Sequence, residues 1–339
     1  MSVTIKDVAT AANVSISTVS LVLNGSPLVK HETRLRVQDA IKHLNYVPNQ
    51  SARSLITKVN KTISVIRASD EDEDVEGNFN STPGSYFTNM MWGIEKRITE
   101  EGYSMVLEWH NLSNVQEPMF ARRDSVDGII CVGGLLRKEF LQKLKGKGVP
   151  AVLVGSRAED IDYIDADSEN ALYQITKYII SCGHKEIAFL DGPKTTMSST
   201  RKAKGFVRAM KESSLKPVKM EYCRKFSGEA GYNACAAMLD AGLHPSAVIC
   251  GTDSMALGVE RCLHDRQLRC PDDVSVTGYE NGTLAEYGIP ALTTMDIGCS
   301  TLGEEAVSIL FNRIKNPNAR HVAIETKAVL LIRDSVKNL

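Results

Sequence analysis

Hydrophobic residues in the N-terminal part of the chain recur at helical spacing in three short stretches. Thr4 and Asp7 form a capping-box pattern in front of the first stretch, which predicts a helix over residues 5–11. The same spacing predicts a second helix over 16–23 and a third over 31–44. Roughly three residues separate the first two helices, as in a helix-turn-helix. On spacing alone, a three-helix protein-docking module is the alternative.

After residue 61, short runs of β-branched residues alternate with amphipathic segments, which is typical of βαβ units around parallel sheets. The predicted strands cover residues 62–67, 104–108, 128–132, 151–154, 186–190, 247–250 and 274–278. The predicted helices cover residues 87–101, 168–182, 202–213, 229–241, 253–264 and 300–314. This spacing fits two similar α/β lobes with a ligand cleft between them.

A polar, weakly helical segment joins these two parts of the chain. Pro48 is a helix-start signal, and a helix of one or two turns over 49–56 would be only marginally stable by itself. A second copy of the chain or DNA would have to order it. The sequence therefore predicts a head (1–48), a hinge (49–61) and a body (62–339).

The charges of the chain are segregated, although its net charge is only −1. Residues 1–61 carry eight Lys or Arg against three Asp or Glu, a net +5, which leaves −6 for the remainder. This asymmetry indicates a basic head that contacts phosphates and a body with another task.

Composition predicts a cytoplasmic protein without metal or cofactor. The N-terminus lacks the pattern of a secretory signal, and no run of 18 apolar residues occurs. None of the eight cysteines forms Cys-x-x-Cys, so we expect reduced, mostly buried thiols. The seven histidines also do not cluster at metal-ligand spacing.

The sequence gives no indication of an enzyme. It contains neither standard glycine-rich phosphate loop nor Gly-x-Ser-x-Gly, and nothing pairs its scattered carboxylates as acid and base. A sugar hydrolase or kinase would need such a constellation. A cytosolic small-molecule binding protein would keep the body, but it would not need a basic head.

The head and hinge resemble the DNA-binding region of the LacI/GalR family of bacterial repressors. The matching segments are 4–9, Val14-Ser15, 18–20, 22–25, 32–34, Tyr46-x-Pro48-Asn49 and 52–55. In that family the second helix enters the major groove, and the paired hinge helices of a dimer enter the minor groove. The resemblance implies DNA contacts by Thr4, Ile16, Ser17, Thr18, Ser20, Leu21, Asn24, Thr33, Asn49, Ala52, Arg53 and Leu55.

For two apolar residues in this set we expect specific contacts with DNA. Leu55 falls on the leucine that the family inserts between base pairs, where an apolar wedge kinks the duplex. Ordinary core packing is the alternative for this residue. Leu21 stands where the family often has Arg, and a leucine cannot form the two bonds to guanine that an arginine forms. We therefore expect an operator whose half-sites differ from the usual consensus.

The body resembles the effector-binding core of the same family, which is similar to periplasmic sugar-binding proteins. The matching segments include 183–188, Gly192-Pro193, Gly205-Phe206, 253–258, 271–276, Gly278-Tyr279 and 290–294. The resemblance implies an α/β, two-lobed, periplasmic-binding-protein-like body of parallel sheets flanked by helices. It also implies three chain crossings, with an N-terminal lobe of about 62–162 plus 294–325 and a C-terminal lobe of 163–293 plus 326–339.

The same resemblance implies an effector site, by default for a sugar. Its residues would be Tyr86, Phe87, Lys202, Phe226, Thr252, Asp253 and Glu280, although core packing is an equal alternative for the aromatic ones. At four positions the chain departs from the usual pattern: Lys202 replaces Arg, Thr252 replaces Asn, Glu280 replaces Asp, and Gly155 stands where sugar-binding members often have Asp. Such changes rearrange a hydroxyl-binding network.

A run of six acids in residues 70–76 has two interpretations. It is either a solvated loop or a segment near the cleft mouth that favours a cationic effector or partner. For the whole chain, we expect a homodimeric, effector-controlled repressor of operator DNA. The short tail after Arg333 lacks leucine heptads and so does not predict a tetramerising coil.

Overall fold

The computed structural model describes residues 3–23, 25–46, 59–69, 85–111, 125–133, 136, 138–146 and 148–339. The chain divides into two compact units, Met1–Asn60 and Lys61–Leu339. The first unit contains three helices: α1 (Ile5–Ala11), α2 (Ile16–Leu23) and α3 (His31–His43). They enclose a core of small and β-branched residues: Val8, Ala9, Ala12, Val19, Val22, Val37 and Ala40.

The capping pattern predicted for α1 is present. Asp7 Oδ2 accepts hydrogen bonds from the backbone N–H and the hydroxyl of Thr4, both at 2.8 Å. A carboxylate in the first turn satisfies a backbone donor that has no partner within the helix and interacts favourably with the helix dipole. The three predicted helices agree with the structure to within one residue.

The second unit contains twelve strands and eight helices within the described residues. The strands are β1 (Thr62–Ser69), β2 (Ser104–Asn111), β3 (Gly128–Val132), β4 (Ala151–Val154), β5 (Asp162–Ala166), β6 (Ile187–Asp191), β7 (Lys219–Tyr222), β8 (Ala247–Cys250), β9 (Ser275–Thr277), β10 (Thr294–Asp296), β11 (Ala323–Thr326) and β12 (Val329–Leu331). The helices are α4 (Ser85–Glu100), α5 (Lys138–Gly146), α6 (Ser168–Ser181), α7 (Met197–Glu212), α8 (Gly228–Asp240), α9 (Asp253–Asp265), α10 (Thr283–Tyr287) and α11 (Cys299–Lys315).

Ten of these strands form two parallel sheets, as the sequence predicted. The larger has the order β11-β5-β4-β3-β1-β2, and the smaller has the order β7-β6-β8-β9. Central strands such as Gly128–Val132 and Ala247–Cys250 are buried throughout because helices cover both faces of a parallel sheet.

The chain connects the two sheets through a short antiparallel pair, β10 and β12. After β5 it enters the four-stranded sheet, and it returns through β10 to α11 and β11. Whereas the sequence suggested a lobe boundary near 162, β5 continues the six-stranded sheet to Ala166. We call the two parts of this unit the six-stranded lobe and the four-stranded lobe.

The predictions about cysteines, metal ligands and membrane-spanning segments can be compared with the described residues. All eight cysteines are free, and six of them are buried. Among the described residues, no group of His, Cys, Asp or Glu is arranged to hold a metal ion. No helix in this part of the chain has the length and apolar character that a bilayer crossing requires.

Candidate functional site

Helix α2 presents two exposed apolar side chains next to hydroxyl-bearing residues. Ile16 and Leu21 are 44% and 39% exposed, whereas Val19 and Val22 on the opposite side of the helix are buried. Because the core of the head already holds Val19 and Val22, the exposed residues are free to contact another molecule. This exposed side of α2 contains Ile16, Ser17 and Leu21, for which the resemblance implied DNA contacts.

A serine network fixes the start of α2. The Ser15 hydroxyl accepts the Thr18 backbone N–H at 3.1 Å, which satisfies a donor at the helix start. The Ser15 oxygen also lies 2.7 Å from Ser17 Oγ and 2.8 Å from Thr18 Oγ1. Two residues predicted to contact DNA therefore bond within the protein in this structure.

Of the remaining predicted DNA contacts, three lie on the described part of the head and five lie outside the described residues. Thr4 is exposed, and Ser20 and Thr33 are half-buried on the head. The other predicted contacts, Asn24, Asn49, Ala52, Arg53 and Leu55, lie outside the described residues, as does the acidic run 70–76.

In the second unit, Lys202 forms the centre of a buried cage. Its side chain is 2% exposed, and Nζ donates to Asp191 Oδ1 at 3.3 Å and to the Gly251 carbonyl at 2.6 Å. The same ammonium lies 5.0 Å from the centre of the Phe226 ring and 4.8 Å from that of Tyr279. Carboxylate, carbonyl and two aromatic faces thus stabilise a charge removed from water.

A second group surrounds the hydroxyl of Tyr86. Burial raises the pKa of Tyr86 well above its usual range, and the nearby Asp165, Cys299 and Glu280 raise it further. Tyr279 donates to or accepts from Ser168 Oγ at 3.0 Å, and burial raises its pKa as well. Since Tyr279 also lies over Lys202, it joins the two groups into one aromatic and acidic site.

Thr252 and Asp253 stabilise backbone rather than face an open space. The Thr252 hydroxyl accepts the Met255 N–H at 3.2 Å and caps α9. Asp253 accepts the Gly282 N–H at 2.6 Å and the Thr294 hydroxyl at 2.5 Å. Burial raises the pKa of Asp253 to about 6. Both oxygens of this carboxyl already have protein partners.

Glu280 lies at an opening of this region and has a strained backbone. Its φ of 112° is in the left-handed region that non-glycine residues rarely adopt, a feature that is frequent at functional sites. It lines a cavity of about 270 Å³ together with Asn89, Trp92, Asn281, Asp296, Gly298, Cys299, Ser300 and Thr301. Both amides and carboxylates line this cavity.

The comparisons with known proteins match both units of the chain. Residues 4–49 match the family described as bacterial regulatory proteins, lacI family, and residues 176–336 match a periplasmic binding protein-like domain. The HTH-type transcriptional repressor PurR of Escherichia coli O1:K1 is 35% identical over 342 residues, which cover 98% of this chain and 96% of PurR. The chain belongs to the LacI family.

Solved structures agree with this assignment. A Lac repressor bound to ONPG in the repressed state has a TM-score of 0.83, is 25% identical and covers 99% of this chain and 100% of its own. A complex of the regulator CelR with cellobiose has a TM-score of 0.71, is 27% identical and covers 98% and 99% of the two chains. This LacI-family chain therefore has the two parts of a transcriptional regulator, a helix-turn-helix DNA-binding head and an effector-binding body.

The structure also places next to the effector residues of this LacI-family chain three residues that the sequence did not predict as effector contacts. Asp191, Tyr279 and Asp165 contact or surround the predicted effector residues. Asp191 ends β6, and ligands of open α/β folds bind beyond the carboxyl ends of strands. The sequence could therefore have indicated Asp191 as a residue near the ligand. Asp165 lies in a strand that was not predicted, so its neighbours were unknown.

Phe87 lies at the edge of the same region. The Arg67 guanidinium is 4.9 Å from the centre of its ring, and the ring also packs against the core of the six-stranded lobe. Core packing and ligand contact are therefore both compatible with Phe87. Of the seven predicted effector residues, the structure brings Tyr86, Lys202, Phe226 and Glu280 together around Tyr279.

Proposed function

We propose that this protein represses transcription by binding a pseudo-palindromic operator as a homodimer under the control of a small molecule in the interlobe cleft. The observation that carries the proposal is the exposed apolar side of α2, where Ile16 and Leu21 lie over a complete core. A helix of this kind enters the major groove, and its apolar side chains contact thymine methyl groups.

The effector acts on DNA binding through the body. A ligand that shifts the angle between the lobes changes the free energy with which the hinge, 49–61, folds on the operator. Linkage then requires that operator DNA changes the affinity for the effector by the same factor. A protein with this activity acts in the cytoplasm, where the chromosome is.

A mobility-shift assay on the DNA upstream of the chain's own gene tests the DNA-binding part. We expect a retarded complex whose affinity falls steeply as salt rises, because phosphate contacts release counterions. A cytosolic binding protein without DNA function would give no salt-dependent complex, and this result would overturn the proposal.

The identity of the half-site tests the part played by Leu21. Binding-site selection should return half-sites with thymine where the common consensus has the guanine that Arg contacts. Leu21→Ala should weaken specific binding about tenfold, the size of effect that one altered base pair in a site usually has. Leu28→Ala is the matched control, because Leu28 is 84% exposed in the loop before α3. Recovery of the guanine-bearing site, with equal affinities for both variants, would contradict the assignment.

For the effector, we propose an uncharged ring with several hydrogen-bond donors, such as a sugar or a nucleobase. The site offers the Tyr86 and Phe226 rings together with the Glu280 carboxylate, while the one ammonium of the cage, Lys202, is already paired with Asp191. Acidic and aromatic groups bind hydroxyl and N–H donors and disfavour a phosphorylated ligand.

A thermal-shift screen of sugars, nucleobases and phosphorylated sugars tests this choice. A neutral compound should raise the melting temperature of the wild type, and Phe226→Ala should remove most of that shift. Tyr173→Ala is the control, because Tyr173 contacts Glu212 and lies outside both the cage and the cavity lined by Glu280. Stabilisation by phosphorylated sugars only would contradict the proposed class.

A further inference from the structure

Five charged side chains lie where β5, β11 and α7 meet. We call Arg157, Asp165, Asp167, Arg201 and Glu325 the interlobe cluster. In the parallel pairing of β5 with β11, Asp165 and Glu325 are direct partners, so their carboxylates lie side by side. Like charges opposite each other on neighbouring strands repel, and the pair therefore requires cations for stability.

Two arginines from different lobes supply these cations. Arg157, from the six-stranded lobe after β4, contacts Asp165 at 3.2 Å and also contacts Glu325. Arg201, from α7 of the four-stranded lobe, contacts Glu325 at 2.5 Å and Asp167 at 3.0 Å, and lies 3.6 Å from Asp165. Arg201 is thus the cation of the cluster that the four-stranded lobe supplies.

The cluster is removed from most of the solvent. The side chains of Arg201 and Asp165 are 14% and 11% exposed, so these contacts are screened less than surface ion pairs. The pKa of Asp165 is raised to about 6, because burial and the nearby Glu325 raise it by more than Arg157 and the Ala166 N–H lower it. The charge of Asp165 in turn raises the pKa of Tyr86 and the pKa of Tyr279.

The interlobe cluster lies where the chain crosses from one lobe to the other. Asp167 immediately precedes α6, and Glu325 is followed by the segment that leads to β12, so both lie at chain crossings. The Asp167 backbone N–H donates to the Thr326 carbonyl at 2.9 Å and joins these two crossings. Any rotation of the four-stranded lobe that displaces α7 must break the contacts of Arg201 with both strands.

We propose that Arg201 is a positioning residue whose ion pair with Glu325, together with its contact to Asp167 at the crossing, holds the two lobes in the arrangement of this structure. Without these contacts, the two chain crossings move more freely and the cleft between the lobes opens more often. The proposal concerns the body alone, so its test needs neither operator DNA nor an effector.

Hydrogen exchange of the full-length protein, measured by mass spectrometry, tests the proposal. We expect Arg201→Gln to accelerate amide exchange in 163–168 and 323–328 about tenfold and to leave strands β6 and β8 unchanged. Arg208→Gln is the matched control: it lies on the same helix and pairs with Glu169 within the four-stranded lobe. Exchange in Arg201→Gln that equals both wild type and this control would overturn the proposal.

A measurement on the wild type keeps the test decisive if Arg201→Gln folds poorly. Raising NaCl from about 0.05 M to 0.5 M shortens the Debye length severalfold and should accelerate exchange at the two crossings. Arg201→Lys keeps the charge and should retain part of the protection. Crossings that exchange equally in wild type and Arg201→Lys and that do not respond to salt would also overturn the proposal.

Discussion

At the scale of single residues, Gly155 shows how the cleft of this chain departs from the sugar-binding pattern. Its φ is +75°, and an added Cβ would lie 2.8 Å from Tyr86 Oη. An aspartate here, as in many sugar-binding relatives, would need both a left-handed backbone and a displaced tyrosine. The glycine therefore allows the Tyr86 hydroxyl to occupy the space that a side chain at 155 would take.

Substitution of Gly155 by alanine should test this packing. Gly155→Ala and Gly148→Ala should each lose about 1 kcal/mol of unfolding free energy, because both backbones are left-handed. Among the described residues, no atom lies within 4 Å of a Cβ added at Gly148, so only Gly155→Ala should lose a further 1 kcal/mol, roughly, through the clash. Urea denaturation measures both values, and equal losses would show that Tyr86 moves freely.

At the scale of elements, the four-stranded lobe depends on close contact between α6 and α7. Gly205 on α7 faces the backbone of α6, where an added Cβ would lie 1.9 Å from the Glu169 carbonyl oxygen. No side-chain movement relieves a clash with backbone, so the helices themselves would have to separate. Such a separation would also displace Arg201 and Lys202, which lie one turn earlier on α7.

Alanine at Gly205 should therefore be strongly destabilising. We expect Gly205→Ala to lower the unfolding free energy by about 3 kcal/mol, the upper part of the usual range for overpacking. Gly146→Ala should raise it by up to about 1 kcal/mol, because that helical position is open and alanine favours a helix. A stabilising effect of alanine at both positions would contradict the helix contact.

At the scale of the whole molecule, the four-stranded lobe presents an exposed apolar segment. Leu284, Tyr287 and Ile289 are 67%, 73% and 98% exposed. Clustered exposed apolar side chains are characteristic of association surfaces. Members of this family act as dimers, and we expect this segment to contact the second copy.

Substitutions in this segment should weaken the dimer. Tyr287→Ser combined with Ile289→Ser should shift sedimentation from dimer towards monomer and should weaken binding to a two-half-site operator at low protein concentration. Val207→Ser is the control, since Val207 is 45% exposed on α7. A double variant that remains dimeric at nanomolar concentration would place the interface elsewhere.

Much of the architecture could be predicted because its elements repeat simple patterns. Strands such as Ala247–Cys250 are continuous apolar runs, and α2 follows from the spacing of Val19 and Val22. Most of the strands that were missed carry charges: β5 contains Asp162 and Asp165, whose partners include Arg313 and Arg201, both distant in sequence. Periodicity does not indicate a strand whose charged residues are neutralised by tertiary contacts.

By itself, the sequence determined the order of two parts and their chemistry: a basic three-helix head and a body of alternating strands and helices. These properties depend on local spacing and composition, which each segment carries alone. Only the tertiary structure decided that Lys202 is paired with Asp191, that Asp253 stabilises backbone, and that Arg201 bridges two strands of the other lobe. Charge pairing at these positions joins residues 11 to 124 positions apart, and only the folded chain brings them together.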